Sequence, residues 1–191
     1  MATIRPEDIT NIIGSPIENA RRYWPKIVAE LAAQGKNTAA FQVALLATIG
    51  VECGIFKPVR EYGPTVYFLK YDGRKDLGND KRGDGYTYRG GGFVQLTGKL
   101  NYRVCGSAIG VDLLNHPEKI VEDEPSIKSL IWFATTHGLD VWAARAFNKA
   151  DEYEEEFCWR KIRRLVNGGY NGYDKFRKFA AKFEEIARRP S

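Results

Sequence analysis

Apolar residues recur at helical spacing over most of the chain, along Ile17–Gln34, Thr38–Cys53, Gly98–Gly110, Ser126–His137, Val141–Phe147, Glu152–Val166 and Tyr173–Arg188. Strand signals are short and central. Val66–Tyr71 and Tyr86–Leu96 are rich in aromatic and β-branched residues around a Gly83-Asp84-Gly85 turn. Between the helical stretches, Asp72–Thr87 is rich in Gly and Asp and reads as an inserted loop or hairpin. The pattern predicts a mainly α protein with one small β-hairpin. With no repeat, low-complexity tract or linker, residues 1–191 are expected to form a single domain.

The segment Thr38–Cys53 is apolar or small all round apart from Gln42 and Thr48, as befits a helix buried on every side. At 100° per residue Glu52 continues the line of Phe41, Leu45 and Ile49, so a carboxylate ends a buried stripe at the negative end of the helix dipole. Two readings stand. If the end is shielded from water, the protonated acid is favoured and Glu52 is a candidate general acid. If the helix surfaces at Gly54, Glu52 is an ordinary solvated carboxylate. Nine residues on, beyond Gly54 and the helix-stopping Pro58, Glu61 stands beside Arg60 in polar surroundings. Two carboxyl groups in unlike environments suit glycosidic bond hydrolysis, where one releases the leaving oxygen and the other activates water. Pairs of Glu at this spacing are common, so the pair is suggestive only.

Tyr88–Tyr102 carries three consecutive glycines, Gly90, Gly91 and Gly92, which permit close approach of a ligand to the backbone. If the following residues are extended, Phe93, Gln95 and Thr97 share one face, and an amide and a hydroxyl are available to hold a water or a sugar hydroxyl. The competing reading is a Gly-rich turn with ordinary polar side chains. No Gly-Lys-Ser/Thr opens a helix here, so a phosphate loop is a poor reading.

Charge alters the choice of partner. Twenty-nine Lys and Arg against 24 Asp and Glu give +5, which permits an anionic partner without naming it. The C-terminal helix places Phe176, Phe179, Phe183 and Ile186 on one side, with Lys175, Lys178, Lys182 and Arg189 among its polar residues. A packed amphipathic helix is favoured over one that perturbs the envelope, and both can hold. Cys53, Cys105 and Cys158 are too few and too scattered for a disulfide framework or a zinc clip and are read as reduced, mostly buried thiols. His116 and His137 form no metal motif, and neither a metal nor an organic cofactor is expected. The longest apolar run, Val43–Val51, is about half of what a membrane span needs. The first residues lack the apolar segment of a secretory signal, so synthesis and retention in cytosol are expected.

Three ordered motifs, Tyr88–Tyr102, Ala108–Pro117 and Val166–Gly169, resemble the catalytic domain of glycoside hydrolase family 19, the chitinase-like lysozymes. With Glu52 and Glu61 they span residues 52–169, and the short spacing plus Asp76-Leu77-Gly78-Asn79 and Gly83-Asp84-Gly85 most resemble the compact phage endolysins of that family. The resemblance implies a lysozyme-like helical fold, Glu52 as general acid, Glu61 as general base, Gln95 and Thr97 at the attacking water, and Asn101 and Asn167 lining the sugar site. Tyr88 and Arg89 belong to the same expected substrate-binding set. Gly91 stands where the family usually has Arg, and Arg89 is a candidate replacement. Thr97 keeps the hydroxyl of the plant enzymes' Ser, whereas their His-Glu-Thr is Val51-Glu52-Cys53 here and their disulfide cysteines are missing. The expectation is therefore a monomeric inverting endolysin acting on bacterial peptidoglycan, with electrostatic contact to the anionic envelope and no nucleic-acid partner. It would be held in the host cytoplasm until release. The alternatives are a chitinase of the same mechanism and a non-catalytic basic module for envelope or nucleic acid.

Overall fold

A computed structural model describes residues 3–148 and 151–189, and the chain divides into two compact units. The first unit is drawn from Met1–Phe56 and Ala134–Ser191, the second from Lys57–Phe133.

The first unit is helical. It comprises α1 (Pro6–Ile13), α2 (Ile17–Ala33), α3 (Ala39–Glu52), α8 (Leu139–Phe147), α9 (Glu152–Asn167) and α10 (Tyr173–Ala187). Thr38 caps α3 by accepting from the Phe41 N–H. The all-round apolar character of α3 has the expected consequence: every residue from Phe41 to Gly50 except Gln42 is buried, with α8, α9 and α10 packed against it. Gly50 is required there, since a Cβ would lie 2.7 Å from the Phe179 ring of α10. Phe176, Phe179 and Phe183 are buried, so the apolar side of α10 is a packing face within this unit. The basic residues Lys175, Lys178 and Lys182 lie off that face and are exposed.

The second unit holds β1 (Val59–Arg60), α4 (Thr65–Phe68), α5 (Asp84–Thr87), β2 (Gly91–Gly92), α6 (Lys99–Ile109) and most of α7 (Asp123–Thr136), within which the division between units falls. Its core gathers Tyr88, Leu96, Tyr102, Cys105, Leu113 and Ile120. A two-stranded antiparallel sheet is present, with β2 inside the predicted Tyr86–Leu96 stretch but with β1 rather than Val66–Tyr71 as its partner: Val59 pairs with Gly92 and Arg60 with Gly91. The predicted strand at Val66–Tyr71 is helix and 3₁₀ turn instead. Helical spacing brings Tyr67 and Tyr71 to one side, where the Lys70 ammonium lies 3.4 and 4.9 Å from their ring centres, a gain that an extended chain forgoes. The predicted turn at Gly83–Gly85 fails for a second reason. The Asp72 carboxylate accepts from the N–H groups of Gly83 and Gly85, and that of Asp84 accepts from Asp80 and Lys81. Side-chain oxygens thus take the donors that a hairpin ladder would use.

All three cysteines are buried and no disulfide joins them. Among the described residues, no helix is long and apolar enough to cross a membrane, and no three His, Cys, Asp or Glu side chains gather as a metal site.

Candidate active site

The predicted site residues fall into two constellations, one in each unit. In the first, Glu52 is the last residue of α3 and its side chain retains 20% exposure. Its neighbour is not only the apolar stripe: the Arg163 guanidinium of α9, itself 4% exposed, donates from Nη1 to Glu52 Oε1. The expectation of a carboxyl among apolar groups is corrected accordingly, because a charge-assisted pair occupies the place where desolvation alone was inferred. Arg163 Nε also donates to the Asn171 carbonyl at 2.8 Å, and Asn167 Nδ2 donates to the same oxygen at 3.0 Å. Asn167 Oδ1 accepts from the Gly169 N–H at 3.0 Å. Glu52, Arg163 and Asn167 are therefore tied through the 167–172 turn. Gly172, at φ +72°, lets that turn approach Val51, whose Cγ1 would be 3.1 Å from an added Cβ.

Arg163 escaped the sequence reading although a signal was present. It shares the inner side of α9 with the buried Trp159 and Ile162. The reasoning that singled out Glu52, a charge continuing an apolar stripe, applies equally to it.

In the second unit Glu61 is fixed mainly by main chain. Its N–H donates to the Gly90 carbonyl at 2.7 Å, and its carbonyl accepts from Arg89 Nε at 3.0 Å. Its carboxylate receives one long hydrogen bond, 3.3 Å from the Gly90 N–H to Oε2. An added Cβ on Gly90 would lie 2.8 Å from Gln95 Oε1 and 3.2 Å from Glu61 Oε2, so the bare glycine keeps both acceptors close to one backbone position.

Gln95 is not extended. It sits at φ +53°, a left-handed conformation uncommon outside glycine, and its Nε2 donates to the carbonyls of Val59 and Gly92, each at 3.1 Å. With both amide hydrogens engaged by the two strands, the carbonyl end is left toward Gly90. Thr97 Oγ1 donates to the Gln95 carbonyl at 2.8 Å, and Asn101 Nδ2 donates to the Thr97 carbonyl at 2.7 Å. The expected shared face of Phe93, Gln95 and Thr97 is replaced by a turn that Leu96 closes by bridging Gly91.

The remaining candidates have other partners. Arg89 donates to the carbonyls of Glu61 and Tyr86, with its guanidinium 4.1 Å from the Tyr86 ring centre. Tyr88 is buried, its hydroxyl donating to the Leu114 carbonyl at 2.9 Å. Gly91 is closed to any side chain, since an added Cβ would meet Ile120 Cγ2 and Tyr102 Oη at 2.6 Å. Arg60, its strand partner, reaches the carbonyls of Pro117 and Thr87, and burial holds its guanidinium below the usual arginine range.

The profile of glycoside hydrolase family 19, described as chitinase class I, matches residues 70–146. The middle part of the chain thus carries the sequence pattern of glycoside hydrolase family 19. A glycosyl hydrolase family 19 domain-containing protein of Haemophilus influenzae is 34% identical over 106 residues, 55% of this chain and 45% of the relative. Endochitinase 1 of Solanum tuberosum is 49% identical over 53 residues, 27% of this chain and 17% of that enzyme. The match thus spans less than half the length of either relative. Chitinase C from Streptomyces griseus HUT6037 superposes with a TM-score of 0.63 at 17% identity, covering 96% of this chain and 92% of the other, which shows a shared fold. Within the profile match lie Tyr88, Arg89, Gln95, Thr97 and Asn101, whereas Glu52, Glu61 and Asn167 lie outside it.

Proposed function

We propose that this chain is a family 19 enzyme that hydrolyses β-1,4 bonds between amino sugars, with residues 1–191 acting as one catalytic domain and bacterial peptidoglycan as substrate. Glu61 carries the reading. Its carboxylate is held at one oxygen by a single long N–H bond, with the Gln95 amide oxygen close by, and among the described residues no other hydrogen bond reaches it. An ionised carboxylate in that setting can take a proton from water while the new C–O bond forms at the anomeric carbon. Glu52 is assigned the complementary role, giving its proton to the departing oxygen as the glycosidic bond breaks. The pairing implies inversion without a covalent intermediate. No cofactor is needed for these steps.

Peptidoglycan is preferred over chitin because the net charge of +5 suits an anionic wall. The plant signature around the acid is replaced by Val51-Glu52-Cys53, and no disulfide constrains the chain. The role that follows is that of an endolysin made inside the host and acting on the wall after release. Chitin hydrolysis is the second reading, favoured by the endochitinase relatives.

Glu52→Gln and Glu61→Gln are each expected to leave a folded protein whose release of reducing sugar from purified peptidoglycan falls by about 10²-fold or more. The anomeric configuration of the first product, followed by NMR, is expected to be inverted. Near-normal hydrolysis by either folded variant removes that residue from the mechanism. Rapid cleavage of chitin oligomers with no release from peptidoglycan makes the second reading the correct one.

A further inference from the structure

Two adjoining depressions run along the outer side of α6 in the second unit, and neither is part of the site described above. The first, of about 200 Å³, is lined by Gly78, Asp80, Lys99, Leu100, Arg103 and Leu114. The second, of about 340 Å³, shares Arg103 and Leu114 and continues past Ser107 and Val111 to Asp112. Together they form one groove. Its near end begins on the first turn of α6, which also carries the candidate sugar-site residue Asn101.

The groove is polarised. Lys99 is engaged by Asp80 and Asp84, and the Asp112 carboxylate accepts from the Asn115 N–H and side-chain amide. Arg103 is exposed, and among the described residues nothing pairs with it. Among the described residues, Arg103 is thus the one cation lining the first depression that has no carboxylate partner, and it stands beside the apolar side chains of Leu100 and Leu114. The second ends on the Asp112 carboxylate, held below the usual range by its bonds from Asn115. Leu100 and Leu114 in the first depression and Val111 in the second supply the groove's apolar lining. Such a groove complements an extended ligand with a carboxylate at one point, small apolar side chains, and an amine further along.

We propose that this groove binds the peptide stem of peptidoglycan. The stem has the matching order of groups, alanine, then an acidic residue, then a diamino acid. Arg103 would meet the acidic carboxylate and Asp112 the free amine. This inference rests on the peptidoglycan reading and deepens it, because chitin carries no peptide.

Wild-type protein and Arg103→Glu are compared on intact peptidoglycan and on glycan strands stripped of peptide by an amidase. In parallel, amide NMR shifts are followed on adding an isolated stem tetrapeptide. The ratio of rates on intact over stripped substrate is expected to fall about tenfold in Arg103→Glu, through KM rather than kcat, as befits one lost charge-assisted bond. The peptide is expected to shift the Leu100–Ser107 amides of the wild type saturably, with the effect weakened in Arg103→Glu and in Asp112→Asn. An unchanged ratio, or no saturable shift, overturns the proposal. Shifts of the same amides by a chitin oligomer alone would make the groove a sugar subsite, and shifts on raising the protein concentration alone would make it an interface between copies. Either result also overturns it. If the wild type cuts no peptidoglycan, the substrate reading fails, and the peptide titration alone decides the groove.

Discussion

The two candidate carboxylates are held by opposite means. Glu52 meets a buried side chain of opposite charge, Arg163, which is itself secured to the Asn171 carbonyl. Glu61 is secured through its backbone to Gly90 and Arg89, with one weak bond to the carboxylate. The first arrangement depends on the chemistry of one residue, so losing that residue strands a charge. The second depends on the absence of side chains, so adding atoms is what disturbs it. An acid and a base have different needs. A cation fixed at one oxygen orients an acid's carboxyl and stabilises the carboxylate left once the proton has gone, whereas a base that must receive a proton from water gains from open lone pairs.

The largest effect expected from breaking this contrast is at Arg163. Arg163→Met leaves Glu52 without its cation at the end of a buried helix, and a loss of about 3 kcal/mol in unfolding free energy is expected from urea titration. Combining it with Glu52→Gln should restore much of that loss, since the stranded charge is gone. A cost below about 1 kcal/mol for the single variant would mean that water already screens Glu52, and the contrast would collapse.

The glycine variants give smaller effects and sharpen the contrast within the second unit. Gly91→Ala drives a methyl into Ile120 and Tyr102, at a cost of about 1–3 kcal/mol. Gly90→Ala meets the ends of Gln95 and Glu61 most closely, with Glu61 Cβ next at 3.3 Å, so stability should fall by about 1 kcal/mol while hydrolysis falls further, because the base itself is displaced. Equal losses of activity at equal stability in the two variants would remove the distinction between packing and positioning glycines. The same clash explains the missing family arginine at position 91: Ile120 and Tyr102 occupy its room, and the half-buried Arg60 is paired with this glycine across the sheet.

What was legible in the sequence follows the same division. Elements of the first unit announced themselves by period, because α3 and α10 bury wide apolar faces, and only the short α1 escaped. In the second unit periodicity placed α6 and α7, but composition misled in the stretch before them. Val66–Tyr71 has strand composition, yet Lys70 lies over two tyrosines only in a helical turn. Gly83–Gly85 has hairpin composition, yet Asp72 and Asp84 capture its backbone donors. Side-chain-to-backbone bonds across several residues leave no periodic trace, and neither does the left-handed Gln95. The candidate carboxylates were legible by type and the family by motif. The partner of Glu52, 111 residues away along the chain, depends on how α9 meets α3.

The smallest expected effect is a pH dependence of opposite sign in the two units. In α10, Glu184 is buried and faces the Glu155 carboxylate, and its Oε atoms accept from Arg177 and Arg188 at 3.4 and 3.2 Å. Burial first and Glu155 second push its carboxyl above the ordinary value of 4.5, against the pull of the two arginines. A raised folded value means that the native state holds this proton more tightly than the unfolded chain does. Its contribution to stability is therefore complete below about 4.5 and is lost as pH rises through the raised value. Asp72 in the second unit is held below its ordinary 3.8 by the N–H groups of Gly83 and Gly85. Its contribution is present above 3.8 and disappears as pH falls through the lowered value. Hydrogen exchange corrected for its intrinsic pH dependence should show protection in α10 declining on the alkaline side of this range, and protection at Gly83 and Gly85 declining on the acid side. Glu184→Gln should flatten the first slope and leave the second, and Asp72→Asn should do the reverse. If both slopes respond to either variant, the two units open together rather than separately, and the contrast between their supports would not extend to their stability.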